Sequence, residues 1–227
     1  MLAQRLKNLK PYKPGEQPKD REYIKLNANE NPYLPSPKIK DALKDIELQK
    51  LALYPDPDSH ELKKAIAKSL NKTGGVLVPA ADQKPLGFEI TEDMIFCGNG
   101  SDEVLSFVFY AFFDSDKPLV SPEFSYSFYP VYAGYYGIDL QKIPLNADFT
   151  LNTKAMLGID STGMIFANPN APTGRALLPD EIEAMLKAYP KDKVFVACAR
   201  KGAHKPVGNS RKLTFFICHK FNKRHKR

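Results

Sequence analysis

Met164-Ile165-Phe166-Ala167-Asn168-Pro169-Asn170-Ala171-Pro172-Thr173-Gly174 is a short apolar run that breaks off into a loop stiffened by two prolines and closed by a glycine. An apolar run of this length, bounded by turn residues, reads as a strand buried on both faces. The prolines fix φ and the glycine permits a tight turn, so the loop is held rigid at the C-terminal end of the strand, where open α/β sheets place their ligands. A generic turn does not require two asparagines there. Asn168 and Asn170 therefore read either as ligand contacts or as braces of the loop itself.

Working outward, the same kind of strand recurs near Met94 to Cys97, Lys117 to Ser121, Ile138 to Ile143 and Val194 to Val196. Helical stretches separate them, at about Ser101 to Phe112, Phe124 to Tyr136, Thr153 to Leu157 and Pro179 to Tyr189. Apolar strands alternating with helices imply an α/β fold, with a largely parallel sheet covered on both faces. Toward the N-terminus, Ser36-Pro37 starts a helix with Ile39, Ala42, Leu43 and Ile46 at helical spacing. A second helix, capped by Asp58 or Ser59, turns Leu62, Ala65, Ile66, Ser69 and Leu70 inward and stops at Gly74-Gly75. The stretch from Val76 to Asp93 reads as a long surface connection. Residues 1–35 form a proline-containing arm, 36–197 the α/β body, and 198–227 a tail of different character.

Composition separates tail from body. Ten of the 33 Lys and Arg, and none of the 26 acidic residues, lie from Cys198 onward, so residues 1–197 carry −3 and the tail +10. His204, His219 and His225 lie in the tail as well, which leaves only His60 in the body. The overall +7 is thus a property of the tail, and no nucleic-acid partner is expected of the body. No apolar run follows the basic N-terminus, so neither a signal peptide nor a membrane span is expected, and the expected compartment is the cytoplasm. Cys97, Cys198 and Cys218 lack metal-ligand spacing; the expectation is free thiols and no metal site.

Two further stretches carry chemistry. In Phe96-Cys97-Gly98-Asn99-Gly100-Ser101-Asp102-Glu103 a strand turns through glycines into a helix capped by Ser101, a geometry in which first-turn N–H groups and the helix dipole favour an anion. The same residues also make an ordinary N-cap. Between Phe124 and Tyr136 stand seven aromatics: Phe124, Tyr126, Phe128, Tyr129, Tyr132, Tyr135 and Tyr136. Such a stripe is chiefly core packing, with room for one ring to stack on a flat ligand.

Taken in order, these elements resemble the histidinol-phosphate aminotransferases, fold-type I enzymes that use pyridoxal phosphate. The resemblance reaches from Lys25-Leu26-Asn27-Ala28-Asn29-Glu30-Asn31-Pro32 through Tyr54-Pro55-Asp56-Pro57, Gly98 to Glu103, Tyr126-Ser127-Phe128-Tyr129 and the Asn168 to Gly174 loop, as far as Val196. It implies an incomplete large domain of that fold, preceded by the arm. It implies that backbone groups of Gly100, Ser101 and Asp102 hold the cofactor phosphate, and that Tyr126 stacks on the pyridine ring. Tyr54 would reach the partner's site in a homodimer, while Asn27, Asn29 and Asn31 would line the entrance for a small-molecule substrate. The family's ligand to the ring hydroxyl is usually an Asn just before Pro172; Ala171 stands there, which leaves Asn168 or Asn170 to compensate. The implied reaction moves an amino group between L-histidinol phosphate and 2-oxoglutarate. A threonine-phosphate decarboxylase or an aromatic aminotransferase is the alternative within the fold.

The resemblance stops at Ala197. The family continues this strand into Asp-Glu-Ala-Tyr, whose Asp pairs with the cofactor's ring nitrogen, and later supplies the lysine that holds the cofactor covalently. Here the strand reads Val194-Phe195-Val196-Ala197-Cys198-Ala199-Arg200, with no acid. The tail reads as an altered reading frame that yields an inactive truncated form, with weak or no cofactor binding and no ordered structure beyond residue 197. A fusion or splice product, a non-catalytic dimerisation subunit, and a nucleic-acid-binding tail using Phe215, Phe216 and Phe221 are the competing readings.

Overall fold

A computed structural model describes residues 16, 20–21, 23–24, 33–72, 89–113, 116–190, 193–199 and 216–217. These fall into two compact units, one within residues 16–99 and one within 100–217. Asn27, Asn29, Asn31, Gly74-Gly75 and most of the expected arm and tail lie outside the described residues.

The first unit is built on two helices, α1 (Pro37–Lys44) and α2 (His60–Lys72), with single 3-10 turns at Leu48–Ala52 and Glu92–Met94. Helix α1 begins after Ser36 as expected, yet the Ser36 side chain makes no capping bond. Its Ile39 and Leu43 are exposed, as is Ile46 just beyond it. The cap of α2 is neither Asp58 nor Ser59. Asp56 takes that role, its carboxylate accepting from the backbone N–H of Asp58 at 3.0 Å and of His60 at 2.7 Å. Those two bonds hold the Asp56 carboxyl below its ordinary range. Ile66, Ala67 and Leu70 form the buried stripe of α2, so Ala67 faces inward while Leu62, Ala65 and Ser69 are exposed.

The expected strand from Met94 to Cys97 does not form. Asn71 draws this segment onto α2 instead: its amide donates to the Ile90 carbonyl and accepts from the Ile90 N–H, both at 2.8 Å. Ile90 and Ile95 are buried, whereas Met94 and Phe96 are exposed.

The second unit contains the sheet. Its elements run α3 (Gly100–Phe112), β1 (Leu119–Pro122), α4 (Tyr129–Tyr136), β2 (Leu140–Ile143), α5 (Thr153–Leu157), β3 (Gly163–Asn168), α6 (Pro179–Ala188), β4 (Val194–Ala199) and β5 (Phe216–Ile217). The strand order is β2-β1-β3-β4-β5, with the first four parallel and β5 antiparallel to β4. The mostly apolar strands β1, β3 and β4 sort by alternation. Leu119, Ile165, Ala167, Val196 and Cys198 face a core with Leu105 and Phe109 of α3 and Tyr129, Tyr132 and Ala133 of α4. Val120, Met164, Phe166 and Phe195 face a second core with Met156 of α5 and Met185 of α6. Both faces are therefore covered, which is why β1, β3 and β4 are apolar but for buried Ser121 and the terminal Asn168.

Two corrections concern the ends of elements. Helix α4 starts at Tyr129, not near Phe124, because the Phe124 carbonyl accepts a side-chain N–H from Asn170 instead of continuing a helical ladder. Strand β4 runs through Ala197 to Ala199, with Cys198 buried and accepting from the Tyr129 hydroxyl at 3.1 Å. The boundary expected at residue 197 thus falls inside a strand, and the tail residues Phe216–Ile217 pair with its edge, Ala197 opposite Ile217 and Cys198 opposite Phe216.

At the opposite end of the sheet, Asp160 receives Lys117 at 2.6 Å and Lys193 at 2.7 Å, which ties together the starts of β1, β3 and β4. Hydrogen bonds from these two lysines hold the Asp160 carboxyl down to about 2. A depressed folded-state value means the stabilisation is complete above the unfolded carboxylate range and is lost as pH falls through about 2. The stability gap between the wild-type chain and Asp160→Asn, read by urea unfolding, is expected to be full at pH 6 and to close between about pH 4 and pH 2. A close approach sets a second expectation. A Cβ on Gly163 would lie 2.6 Å from the Phe113 ring and 2.7 Å from the Val194 carbonyl oxygen. Gly163→Ala must push β4 or Phe113 aside, and a loss of about 1–3 kcal/mol is expected in the same measurement.

Candidate functional site

The order of the strands locates the site. From β1 the chain moves outward to β2, then returns past β1 to β3 and on to β4, so the direction of winding reverses between β1 and β3. In open α/β sheets the loops leaving the C-terminal ends of two such neighbours are where ligands bind. Here they are Glu123 to Phe128 after β1, and the proline-stiffened Asn168 to Gly174 after β3.

Asn170 bolts the two loops together. It is 1% exposed. Its amide nitrogen donates to the Phe124 carbonyl at 2.8 Å and to Thr173 Oγ1 at 3.2 Å, while its amide oxygen accepts from Ser125 Oγ at 3.1 Å. Its backbone closes the turn, with N–H donating to the Arg175 carbonyl and C=O accepting from the Gly174 N–H, both at 2.7 Å. Gly174 sits at φ 72°, where a side chain would strain the turn. Asn168 is paired with Leu177 in the same manner, accepting its N–H at 2.8 Å and donating to its carbonyl at 3.0 Å. Both asparagines thus brace the loop, Asn170 against the loop after β1 and Asn168 against Leu177.

The glycine-to-helix turn meets the aromatic segment in the same unit. Helix α3 begins at Gly100, one residue before the expected cap, with Gly100 at φ 85° and Ser101 already in the first turn. That first turn also holds Asp102 and Glu103. Tyr126, half-buried, donates its hydroxyl to Asp102 Oδ1 at 2.6 Å. Tyr132 donates to the Asp102 carbonyl at 2.7 Å, and burial, followed by the Asp102 charge, pushes its phenol above the ordinary range. The Tyr126 ring stands edge-on to Tyr129, with centroids 5.6 Å apart and planes at 78°. A flat aromatic surface is thereby set beside the N-terminal turn of a 13-residue helix, where backbone N–H groups and the dipole favour an anion. Sequence spacing did not reveal the Tyr126–Asp102 bond, since 24 residues separate the two.

Among the other expected residues, Tyr54 is fully exposed on the first unit. Among the described residues there is no cluster of His, Cys, Asp or Glu fit for a metal ion, and no helix is long and apolar enough to cross a membrane. Cys97 and Cys198 are not disulfide-bonded, and Cys218 lies outside the described residues. A polar cleft of about 250 Å³ lies between the turn around Thr150 and the segment Arg175 to Leu177 and touches none of the expected site residues.

In open α/β folds the winding reversal of a parallel sheet, here with a helix start and an aromatic ring close by, is where ligands bind. The chain belongs to the aminotransferase class I and II family, whose model matches residues 21–198. It is 50% identical over 200 residues to the histidinol-phosphate aminotransferase of Syntrophus aciditrophicus, covering 86% of this chain and 50% of that protein. To the histidinol-phosphate aminotransferase of Marinomonas sp. it is 44% identical over 192 residues, covering 85% and 49%. The chain thus spans about half the length of the curated relatives it matches. The crystal structure of the Sinorhizobium meliloti histidinol-phosphate aminotransferase in complex with pyridoxal-5'-phosphate superposes with a TM-score of 0.61 at 21% identity, covering 75% of this chain and 42% of that one. That enzyme from Clostridium acetobutylicum gives 0.59 at 20% identity, covering 75% and 45%. These two likenesses establish the fold, the large-domain α/β architecture of fold-type I aminotransferases.

The Asn170 bolt carries a prediction. Asn170→Ala leaves the Phe124 carbonyl and the Ser125 hydroxyl without their partner beneath the loop, at a cost of about 2–3 kcal/mol. Urea unfolding is expected to show that loss. Ala171→Asn, on the loop's outer side, should leave stability within about 0.5 kcal/mol.

Proposed function

We propose that this chain is the cofactor-holding portion of a pyridoxal-phosphate-dependent aminotransferase that acts on L-histidinol phosphate with 2-oxoglutarate. The single observation that carries the reading is the juxtaposition of the Tyr126 ring with the first turn of α3, the ring on the loop that leaves β1 at the winding reversal between β1 and β3. Identity of 44–50% to enzymes named for that substrate supports the choice of reaction.

The residues fit the cofactor at two of its ends. Backbone N–H groups of Gly100, Ser101 and Asp102, in the first turn of α3, would take the phosphate, and the positive φ of Gly100 lets the chain turn into the helix there. Tyr126 offers a ring face for the pyridine. Asn168 and Asn170 keep the opposite loop rigid, and with Ala171 before Pro172 the loop presents no third amide at that position. At the third end the fit fails: β4 reads Val194-Phe195-Val196-Ala197-Cys198-Ala199, and brings no carboxylate to a ring nitrogen. Pyridoxal phosphate, when bound, supplies an electron sink for the bond broken at the substrate's α-carbon. Without an acid from β4 this chain binds and orients but leaves that sink unsupported. The finer expectations belong to the same reading: a homodimer in the cytoplasm, with Tyr54 reaching the partner's site and Asn27, Asn29 and Asn31 at the substrate entrance.

The test is a titration of the purified chain with pyridoxal phosphate by absorbance and induced circular dichroism, with inorganic phosphate as competitor. Saturable binding displaced by phosphate is the expected result, together with no measurable transamination of histidinol phosphate. Absence of saturable binding would overturn the cofactor reading, and turnover would overturn the role assigned to β4.

A further inference from the structure

Asp102 is held twice by the segment that follows β1. Tyr126 takes its carboxylate at 2.6 Å and Tyr132 its carbonyl at 2.7 Å. A 2.6 Å bond from a hydroxyl to a carboxylate is in the short, charge-assisted class, and so is strong enough to select one orientation of a ring that is only half buried. The rear of that ring is already fixed, because Tyr129 meets it edge-on while itself buried and anchored to Cys198. Phe128 stacks with the Tyr126 ring at 6.3 Å between centroids, planes at 24°, and the hydroxyl bond restrains the ring at its polar end. Removing it frees the side chain to visit other rotamers. An acid in this first turn also has a cost for the ligand read above: it interacts well with the helix dipole but repels a second anion nearby. Donation from Tyr126 gives that carboxylate a purpose which offsets the repulsion.

We propose that Asp102 is a positioning residue whose carboxylate locks the Tyr126 ring in place as a stacking platform for the flat ring of a phosphate-bearing cofactor. The inference rests on the cofactor reading above, and it concerns the Asp102 side chain, whereas phosphate binding uses the backbone of the same turn.

A platform residue affects the ring of a ligand and not its phosphate, and that difference makes the test. Dissociation constants for pyridoxal phosphate and for inorganic phosphate are measured on the whole 227-residue chain as wild type, Asp102→Ala, Asp102→Asn, Tyr126→Phe, and the Asp102→Ala/Tyr126→Phe double variant. Asp102→Ala and Tyr126→Phe are each expected to weaken pyridoxal phosphate about five- to tenfold, the scale of one hydrogen bond to a charged group. Inorganic phosphate should stay within about twofold, or tighten for Asp102→Ala. The double variant should be no weaker than the poorer single, because both remove the same bond. Asp102→Asn keeps an oxygen acceptor and should stay near wild type. Should Asp102→Ala fail to fold, Tyr126→Phe and Asp102→Asn carry the comparison. Parallel losses for both ligands would mean a purely structural tie, and additive losses would mean two independent roles; either overturns the proposal. If the wild type binds phosphate but gains nothing from the pyridoxal ring, the cofactor reading fails and the platform falls with it. If it binds the cofactor and Tyr126→Phe costs nothing, only the platform falls.

Discussion

The buried amide of Asn170 is the constraint on which the site depends. A side chain with two donors and one acceptor, sealed beneath a loop, must find partners for all three or lose the cost of desolvation. It finds them on the loop after the neighbouring strand, at Phe124 and Ser125, and within its own turn at Thr173. The consequences spread outward. Taking the Phe124 carbonyl out of play delays α4 until Tyr129, which leaves Tyr126 in a turn instead of on a helix face. From that turn its hydroxyl reaches across to Asp102, and the aromatic ring comes to stand at the start of α3.

The sheet beneath supplies the rigidity that this arrangement uses. Alternate residues of β1, β3 and β4 feed two separate cores, so each strand is gripped from both sides and cannot slip by one residue without exchanging its faces. Lys117, Asp160 and Lys193 tie the strand starts at the far end, leaving the C-terminal ends free to carry loops with functional residues. No buried side-chain nitrogen or oxygen among the described residues lacks a partner, as expected of a packed interior. The first unit differs. Helix α1 buries nothing, and its apolar side chains stand exposed alongside Leu48, Leu51 and Leu53.

Strand β4 is where family likeness and local structure part company. The family match runs to residue 198, yet the residues at that point are small or apolar and contain no acid. Backbone pairing is indifferent to that change. Parallel ladder bonds to β3 continue to Asn168 opposite Ala199, and burial of Cys198 beside Tyr129 completes the first core. A strand can therefore keep its place while the chemistry expected from it is missing.

By itself the sequence determined the class of fold, the parallel sheet, the succession of its strands and helices from α3 to β4, and the stretches that make up the candidate site. These follow from local periodicity, from glycine and proline placement, and from a run of motifs that resembles one family. Only the tertiary structure decided the rest. It decided that Met94 to Cys97 packs on α2 instead of joining a sheet, because Asn71 satisfies the Ile90 backbone from 19 residues away. It decided that Asp56 and not Ser59 caps α2, since Ser59 adopts a positive φ. It decided that Asn168 and Asn170 brace their loop, and that Asp102 and Tyr126 meet. Apart from the local Asp56 cap, these are bonds from a side chain to backbone or to another side chain well separated along the chain. Such partners are selected by the approach of packed strands and helices, a quantity that no local pattern of residues encodes.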